Sequence, residues 1–440
     1  MREAAMSSRP RCSHVLPYPV LFVLATALAT ACEQNDPTST PPTFTTTFDT
    51  INGVIHVTNS GTPPAWKLTP VVSIGPKSVH EEETPDEFGR VSAVALGPDE
   101  TVFVADIANS EIRVFGLDGS HLRTLGRGGE GPGEFRSLSG IAWVGDRLLT
   151  FDPRLGRIGE LSAEGEWLGQ RRTPGSGSAA HIRFYHTRLY PVGPNEAFRY
   201  APSPDRGSMW GSVWVGLDSR GDTGDTVPLL IPREDLPGMI ETIVCNWDGG
   251  LGVYPHTVAA KFLQHPASGG VMYSAWGYFY RIAVTRDDGD TLRVIERTLA
   301  AEPVSDEKWA AGSAAFEEAV ERFEFSDADC NPRSYTRPER GSFINEIFVS
   351  PDGRLWVDVI RSAGNRWEFF DPEGRLLGSV PAVPYKERTV PVFRGDHVVT
   401  IRQDNLDLDH VDLWRLERVG RYGLAEPGDM KPVRARSGSP

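Results

Sequence analysis

The chain of 440 residues carries 45 Lys and Arg against 59 Asp and Glu, a formal net charge of −14. Such an acidic surface repels nucleic acid and the sequence has no basic stripe, which excludes a nucleic-acid-binding role. With 39% hydrophobic residues, the chain is long enough for one large repetitive domain or two smaller ones.

The amino terminus predicts export. A segment with three arginines (1–11) precedes the apolar run VLFVLATALATA (20–31) and small residues. This order is typical of a secretory signal peptide, and the run is shorter than the roughly 20 residues that a membrane-spanning helix needs.

The end of the signal, LATAC, resembles the lipobox of bacterial lipoproteins, although Ala29 stands where leucine is usual. The resemblance implies that residues 1–31 are removed and that Cys32 carries lipid. The protein would then be anchored to a membrane of the bacterial cell envelope by lipid alone. Ordinary cleavage near position 31 would instead give a secreted protein.

Two polar segments flank the predicted folded domain, 66–422. In residues 32–65, Cys32 is followed by EQNDPTSTPPTFTTTF, which is rich in Thr and Pro and is expected to form a tether behind the anchor. Residues 423–440 are equally polar and are expected to form a flexible tail.

The stretch LGRGGEGPGEF (125–135) contains the spacing G-x-G-x-x-G at Gly126, Gly128 and Gly131. This spacing marks a dinucleotide-binding loop only where a strand precedes it and a helix follows it. Here Pro-Gly follows, and then the strand-like EFRSLSGIAWV. The sequence therefore argues against a nucleotide cofactor and favours a hinge between strands.

Internal repeats indicate the architecture. Segment 102–126 aligns without a gap on 148–170, so that Asp106 matches Asp152 at an offset of 46 residues. Further copies cover 353–380, which places Asp358 at the aspartate position, and 394–419. Each copy alternates short apolar strands with Pro-Asp-Gly, Gly-Asp or Asp-Gly turns.

Four strands in about 45 residues is the period of a β-propeller blade. Two degenerate copies, 188–223 and 269–297, keep this order of strands and turns. The strand WKLTPVVSIG (66–75) is predicted to complete the last blade and so close the ring. The sequence thus predicts an all-β, six-bladed propeller of four-stranded antiparallel blades at about 86–126, 134–173, 180–232, 255–298, 342–382 and 388–419.

Residues 86–170 also resemble NHL-type repeats, in which an aspartate follows an apolar strand; the match is weaker over 342–380. The chain is therefore similar to six-bladed propellers of the NHL and TolB-like superfamily. The resemblance implies that Asp106, Asp152 and Asp358 are structural and cap backbone N–H groups between blades. A ring of these carboxylates around a cation is the alternative.

Two insertions interrupt the repeats. Residues 303–324 have the spacing of an amphipathic helix with Ser305 as its N-cap, packed on a blade edge or covering one mouth of the channel. Residues 233–254 contain Cys245; once Cys12 leaves with the signal and Cys32 is taken as the anchor, Cys245 and Cys330 remain as an even pair. A disulfide in an oxidising compartment is predicted, with two unpaired buried thiols as the alternative.

No residue could be assigned a catalytic role. Two metal sites are conceivable: zinc at His181, His186 and His256, and calcium at Asp407 and Asp409, which share one face of a predicted strand. Ordinary surface or core roles are expected for all five residues. The sequence therefore predicts no cofactor. Aromatic residues on a rim could stack on sugars.

The predicted function is a monomeric, exported and lipid-anchored scaffold that binds a protein, peptide or glycan on one face of the propeller. The alternative is a hydrolase or lyase with an axial, metal-dependent site. Fold alone does not decide between them. Converging His, Asp and Glu side chains would favour the enzyme, and an aromatic rim the scaffold.

Overall fold

A computed structural model describes 31 strands and one helix. None of the helical residues described forms a segment that is long and apolar enough to cross a membrane. The described residues are 44–76, 84–173, 188–202, 212–221, 223–228, 236–237, 243–247, 250–254, 256–286, 288–324, 329–330, 336–386 and 389–419.

The described residues in the first half of the chain form strands. They are β1 (Phe44–Ile51), β2 (Val54–Gly61), β3 (Trp66–Ile74), β4 (Val91–Leu96), β5 (Thr101–Asp106), β6 (Glu111–Gly116), β7 (His121–Leu125), β8 (Arg127–Gly128), β9 (Glu134–Phe135), β10 (Gly140–Val144), β11 (Arg147–Asp152), β12 (Arg157–Leu161), β13 (Trp167–Arg172), β14 (Leu189–Gly193), β15 (Glu196–Pro202), β16 (Ser212–Asp218) and β17 (Thr223–Pro228).

The second half adds the helix. Its elements are β18 (Ile243–Trp247), β19 (Gly250–Tyr254), β20 (Phe262–Ala267), β21 (Val271–Trp276), β22 (Arg281–Arg286), β23 (Thr291–Arg297), α1 (Asp306–Glu324), β24 (Asp329–Cys330), β25 (Ile344–Val349), β26 (Leu355–Val359), β27 (Arg366–Phe370), β28 (Leu376–Pro381), β29 (Val392–Arg394), β30 (His397–Gln403) and β31 (Asp409–Arg418).

Six sheets form the blades of a β-propeller, as predicted. Blades 1, 2 and 3 are β4–β7, β10–β13 and β14–β17; blade 4 is β20–β23; blade 5 is β25–β28; and blade 6 is β29, β30, β31 and β3. The strands within each blade pair antiparallel. The first strand of each blade is the innermost.

Burial explains why the strands arrange radially. The inner strand β10 is buried along its whole length, whereas the outer strand β13 alternates between half-buried and exposed residues. Neighbouring blades share apolar clusters: Phe103 of blade 1 meets Trp143 of blade 2 edge to face at 5.2 Å, and Trp356 of blade 5 stacks on Phe393 of blade 6 at 4.4 Å. Each such side chain contributes about 1.5–3 kcal/mol by burial.

The ring closes as the sequence predicted. Strand β3 pairs antiparallel with β31, so that Trp66 lies opposite Arg418 and Ile74 opposite Val411. Residues from the beginning and the end of the folded domain thus share one sheet. This pairing covers the edge that β31 would otherwise expose.

The glycine-rich stretch 125–135 joins the outer strand of blade 1 to the inner strand of blade 2, and β10 rather than a helix follows it. Gly126 has φ +77°, and a Cβ there would lie 2.4 Å from the ring of buried Phe135. The N–H of Gly131 is taken by Glu134 Oε2 at 2.8 Å, and Arg157 binds the loop's carbonyl oxygens. The loop is therefore a hinge between blades 1 and 2, because its polar backbone groups are bound by side chains of the protein itself.

Part of the predicted tether is wrong. Residues 44–61 form the hairpin β1–β2, and β2 runs parallel to the outer strand β23 of blade 4, extending that blade to six strands. The turn is Asn52-Gly53, with φ of +52° and +83°, the sequence that two-residue hairpins favour. Residues 1–43, with Cys32 and the signal, lie outside the described residues.

The helix prediction is confirmed. In α1, the Ser305 hydroxyl accepts the N–H of Lys308 at 3.2 Å, and Trp309 stacks on buried His256 at 4.7 Å. The helix also contacts β18 and β19, which form a small sheet with β24. The two insertions therefore pack together beside blade 4.

Candidate functional site

A concave site lies where the inner strands begin. In antiparallel four-stranded blades, the connections between blades and the turns between second and third strands share this side, which we call the entry face. A cavity of about 1020 Å³ opens there between the inner strands of blades 3, 4 and 5 and the connection from blade 5 to blade 6. Its size is that of pockets that hold small ligands.

A buried carboxyl group from blade 5 lies in the cavity wall. Asp358, which is 1% exposed, accepts hydrogen bonds from Asn345 Nδ2 at 2.8 Å, Tyr385 OH at 3.0 Å and Asn365 Nδ2 at 3.2 Å. Burial raises the pKa of Asp358, and these hydrogen bonds oppose the rise. Burial likewise raises the pKa of Tyr385, and the negative charge of Asp358 adds to it.

A second carboxyl group lies opposite the first. Glu346 of β25 is the register partner of Asp358 on β26, beside a bulge that places Asn345 there as well. The half-buried Glu346 accepts one backbone N–H, from Ile347 at 3.2 Å. Burial raises its pKa to about 7; Asp358 adds to the rise, while the Ile347 N–H and the charges of Lys261 and Arg188 oppose it.

Blades 3 and 4 supply the other walls. Lys261, exposed at the mouth, donates to Asn345 Oδ1 at 3.3 Å. The Trp214 indole donates to Gln264 Oε1 at 3.3 Å, while the buried Gln264 Nε2 has no acceptor among the described residues. The wall therefore offers an aromatic surface and an amide donor that a ligand can satisfy.

The floor of the cavity contains His265. Its ring packs edge to face on Tyr190 at 5.4 Å, and Nδ1 donates to the Pro266 carbonyl at 2.7 Å. Burial lowers the pKa of His265 to about 4, so the imidazole is neutral at physiological pH. The same residue borders a smaller cavity of about 50 Å³ on the propeller axis, lined by inner strands of several blades.

Two of the three repeat aspartates bind backbone in blades 1 and 2. Asp106 accepts the N–H groups of Gly89, Arg90, Ala108 and Asn109. Asp152 accepts the N–H groups of Arg136, Ser137, Arg154 and Leu155. Each carboxylate thus joins the loop after its own strand to the segment that enters the blade.

Asp358 differs, because the loop after it is longer and the described groups that donate to it are all side chains. Sequence reasoning grouped it with the other two and missed Glu346, Lys261 and Tyr385. One signal was available: in INEIFV (344–349) a glutamate interrupts the apolar inner strand, whereas the inner strand of blade 2, GIAWV, has no charge.

The predicted strand face at Asp407 and Asp409 is wrong. Residues 404–408 form a turn in which the Asp404 carboxylate accepts the N–H groups of Leu406 and Leu408, and Asp407 has φ +61°. Asp409, at the start of β31, is buried and binds Lys386 Nζ at 2.7 Å. The two carboxyl groups therefore face different surroundings.

The histidines of the zinc alternative are not brought together in the part of the chain that the structure describes. His256 packs on α1, with Nε2 3.2 Å from Ser313 Oγ, while His181 and His186 lie outside the described residues. Within the described ranges, no three His, Cys, Asp or Glu side chains form a metal-binding group.

The predicted disulfide partners are adjacent in the backbone. Cys245 of β18 and Cys330 of β24 are register partners in an antiparallel pair. Cα atoms of such partners lie about 4.5–5.5 Å apart, within the range that a disulfide spans. The disulfide itself stays a prediction.

No protein-family model and no curated protein matches the chain. Among solved structures it is similar to a protein of Bacteroides fragilis described as exported (11% identity, 80% of this chain and 95% of that chain covered, TM-score 0.40). It is also similar to a DUF4221 family member of Bacteroides vulgatus, with 10% identity, 81% of this chain and 100% of that chain covered, and a TM-score of 0.43. A third similar structure is virginiamycin B lyase of Staphylococcus aureus, with 10% identity, 84% of this chain and 99% of that chain covered, and a TM-score of 0.36. These likenesses concern the fold alone. The class is a six-bladed β-propeller with an entry-face cavity.

Proposed function

We propose that this protein is an exported, lipid-anchored binding protein that holds a short peptide or glycan in the entry-face cavity. The cavity of about 1020 Å³ carries the proposal. Its lining combines aromatic residues (Tyr190, Trp214, Tyr385) with polar groups, which is the usual composition of a ligand site. The volume fits an oligomer of a few units rather than the surface of a folded protein.

An aromatic ledge extends the entry face beside the cavity. Phe279 is 40% exposed and lies next to Tyr278, whose ring contacts the Arg340 guanidinium 4.0 Å from its centroid. The N–H of Gly277 donates to the carbonyl of Lys261, so the ledge is attached to the cavity mouth. Such rings can extend contact with a bound chain.

The hydrolase or lyase hypothesis has less support. The Asp358 carboxyl oxygens already accept hydrogen bonds from three donors, and His265 Nδ1 donates to a backbone carbonyl. Among the described residues, Glu346 is left as the one cavity carboxyl without a side-chain hydrogen bond. A binding role needs no second activated group, whereas acid–base catalysis with a nucleophile does.

The test is a binding screen with a blocked mouth. The mature chain is screened against peptide and glycan libraries, and affinities are measured for Ala363→Trp, in the exposed turn that lines the cavity. We expect this variant to lose at least about tenfold in affinity, or about 1.4 kcal/mol. The control is Ala108→Trp in the corresponding turn of blade 1, which does not line the cavity.

Equal affinity of Ala363→Trp and wild type for every ligand found would contradict the proposed site. Anchoring is tested separately by membrane fractionation of Cys32→Ser, which we expect in the soluble fraction. A Cys32→Ser protein that still sediments with membranes would contradict lipid anchoring.

A further inference from the structure

The cavity wall carries a carboxyl group, Glu346, and an ammonium group, Lys261, that form no ion pair within the part of the chain that the structure describes. Among the described residues, no Lys, Arg or His nitrogen lies within 4 Å of the Glu346 carboxyl, and no carboxyl oxygen lies within 4 Å of Lys261 Nζ. Their contacts are with neutral groups, the Ile347 N–H and Asn345 Oδ1. Partly desolvated charges of this kind gain most from a ligand that supplies the opposite charge.

The rest of the wall limits what that ligand is. Asp358 is satisfied by Asn345, Asn365 and Tyr385 and does not need a further donor. The other charged group of the lining is Arg188. A ligand that is only cationic would meet Lys261 and Arg188, and one that is only anionic would meet Glu346, so a ligand with both charges fits best.

Gln264 adds a requirement for a neutral hydrogen-bond acceptor on the ligand. Its buried Nε2 has no acceptor among the described residues, while its Oε1 accepts from the Trp214 indole. A buried donor without a partner costs about 1–3 kcal/mol, which a carbonyl oxygen of a ligand would recover. A peptide is a chain of carbonyl oxygens with an ammonium group at one end and a carboxylate at the other.

We propose that the cavity binds a short peptide with two free termini, its ammonium group on Glu346 and its carboxylate directed to Lys261, with a peptide carbonyl on Gln264 Nε2. This proposal rests on the proposed function and specifies its ligand. Deacetylated amino sugars share the ammonium group but lack the carboxylate, so Lys261 and Arg188 disfavour them.

The experiment uses the whole mature protein and three pools of random tripeptides, with both termini free, with the amino terminus acetylated, and with the carboxyl terminus amidated. Retention is measured by equilibrium dialysis with mass spectrometry, and a glucosamine trisaccharide is a fourth probe. We expect the free pool to be retained and each blocked pool to be retained at least about tenfold less.

Two variants assign the contacts. Glu346→Gln should reduce retention of the free pool to that of the acetylated pool and leave the acetylated pool unaffected. Lys261→Met should reduce retention of the free pool to that of the amidated pool and leave retention of the amidated pool unaffected. Glu373→Gln, an exposed carboxylate in a turn of blade 5 outside the cavity lining, is the matched control and should behave as wild type.

Three outcomes would overturn the proposal: no retention of the free pool, equal retention of free and blocked pools, or stronger retention of the glucosamine trisaccharide than of the peptides. The first two leave the cavity open to another ligand, and the third identifies an amino glycan. The proposed function fails separately, when ligands bind but Ala363→Trp changes no affinity.

Discussion

Asp106 and Asp358 occupy equivalent positions near the ends of β5 and β26, but they bind different partners. Asp106 is buried at 0% exposure and accepts backbone N–H groups from two loops, as well as the Asn109 amide. Among the described residues, Asp358 accepts hydrogen bonds only from side chains, one of them Asn365. Blades 1 and 5 thus share an aspartate–asparagine pair, but blade 5 uses its aspartate to order a cavity wall.

This difference predicts unequal costs of mutation. Asp106→Asn turns an acceptor oxygen into a donor among backbone donors, and we expect a loss of about 2–4 kcal/mol in the free energy of unfolding. Asp358→Asn should cost about half as much, because its side-chain donors can reorient and burial already opposes its charge. Urea unfolding at pH 7 measures both values. Equal costs, or a larger cost at Asp358, would contradict the assignment.

Much of the fold follows from the sequence because a blade is a local repeat. The turns at Gly119 and Gly165, the offset from Asp106 to Asp152 and the alternating strands all lie within one period, so periodicity identifies them. Ring closure by residues 66–75 was also predictable, since the last blade lacks its fourth strand and a closed ring needs that strand from another part of the chain.

What could not be predicted depends on contacts between distant segments. The Asn52-Gly53 turn is an exception, since it is a local hairpin signal, but the Thr- and Pro-rich segment before it is typical of a tether. The cavity is harder: Lys261, Glu346 and Tyr385 come from three separate segments, and the spacing of such residues along the chain says nothing about their convergence. Only Glu346 within an apolar inner strand gives a local signal.

Closure of the ring should contribute strongly to stability. Ile74 in β3 is 2% exposed and packs in the cluster between blades 6 and 1, whereas Val71 in the same strand is 40% exposed. We expect Ile74→Ala to lower the free energy of unfolding by about 2–4 kcal/mol. Val71→Ala is the control and should change it by less than about 0.5 kcal/mol. Similar small effects at both positions would show that β3 does not hold the ring.

The amino-terminal hairpin is expected to be part of the fold. Buried Asn59 of β2 donates to the Gly374 carbonyl at 3.0 Å and accepts the Leu376 N–H at 3.0 Å, which links the hairpin to blade 5. Asn59→Ala should cost about 2–3 kcal/mol, because these buried backbone groups lose their partner. Thr50→Ala, at an exposed position of β1, is the control. Proteolysis that removes 44–61 without loss of stability would contradict this role.

The cysteine pair predicts a covalent link between the two insertions. Since Cys245 and Cys330 are register partners, the exported protein should contain a disulfide between them, detectable as a linked peptide by mass spectrometry without reduction. Reduction, or the Cys245→Ser variant, should cost about 2–4 kcal/mol. Quantitative alkylation of both thiols in protein isolated from the cell envelope would refute the link.

Glu346 predicts a specific pH dependence. Its pKa of about 7 in the folded protein lies above the ordinary value of 4.5, so between these values the folded state holds a proton that the unfolded state releases. The contribution of Glu346 to stability is therefore greatest below pH 4.5, falls as the pH rises, and levels off above pH 7. Since other groups also titrate, the quantity to measure is the free energy of unfolding of wild type minus that of Glu346→Gln, which does not titrate. We expect this difference to fall by up to about 3 kcal/mol between pH 4.5 and pH 7.5.

A ligand ammonium group would favour the ionised carboxyl and lower its pKa, so binding should strengthen as the pH rises through 7. A difference that stays constant, or that rises with pH, would mean that water or a neighbouring cation already satisfies Glu346, and the charge on the cavity wall would then need no ligand to balance it.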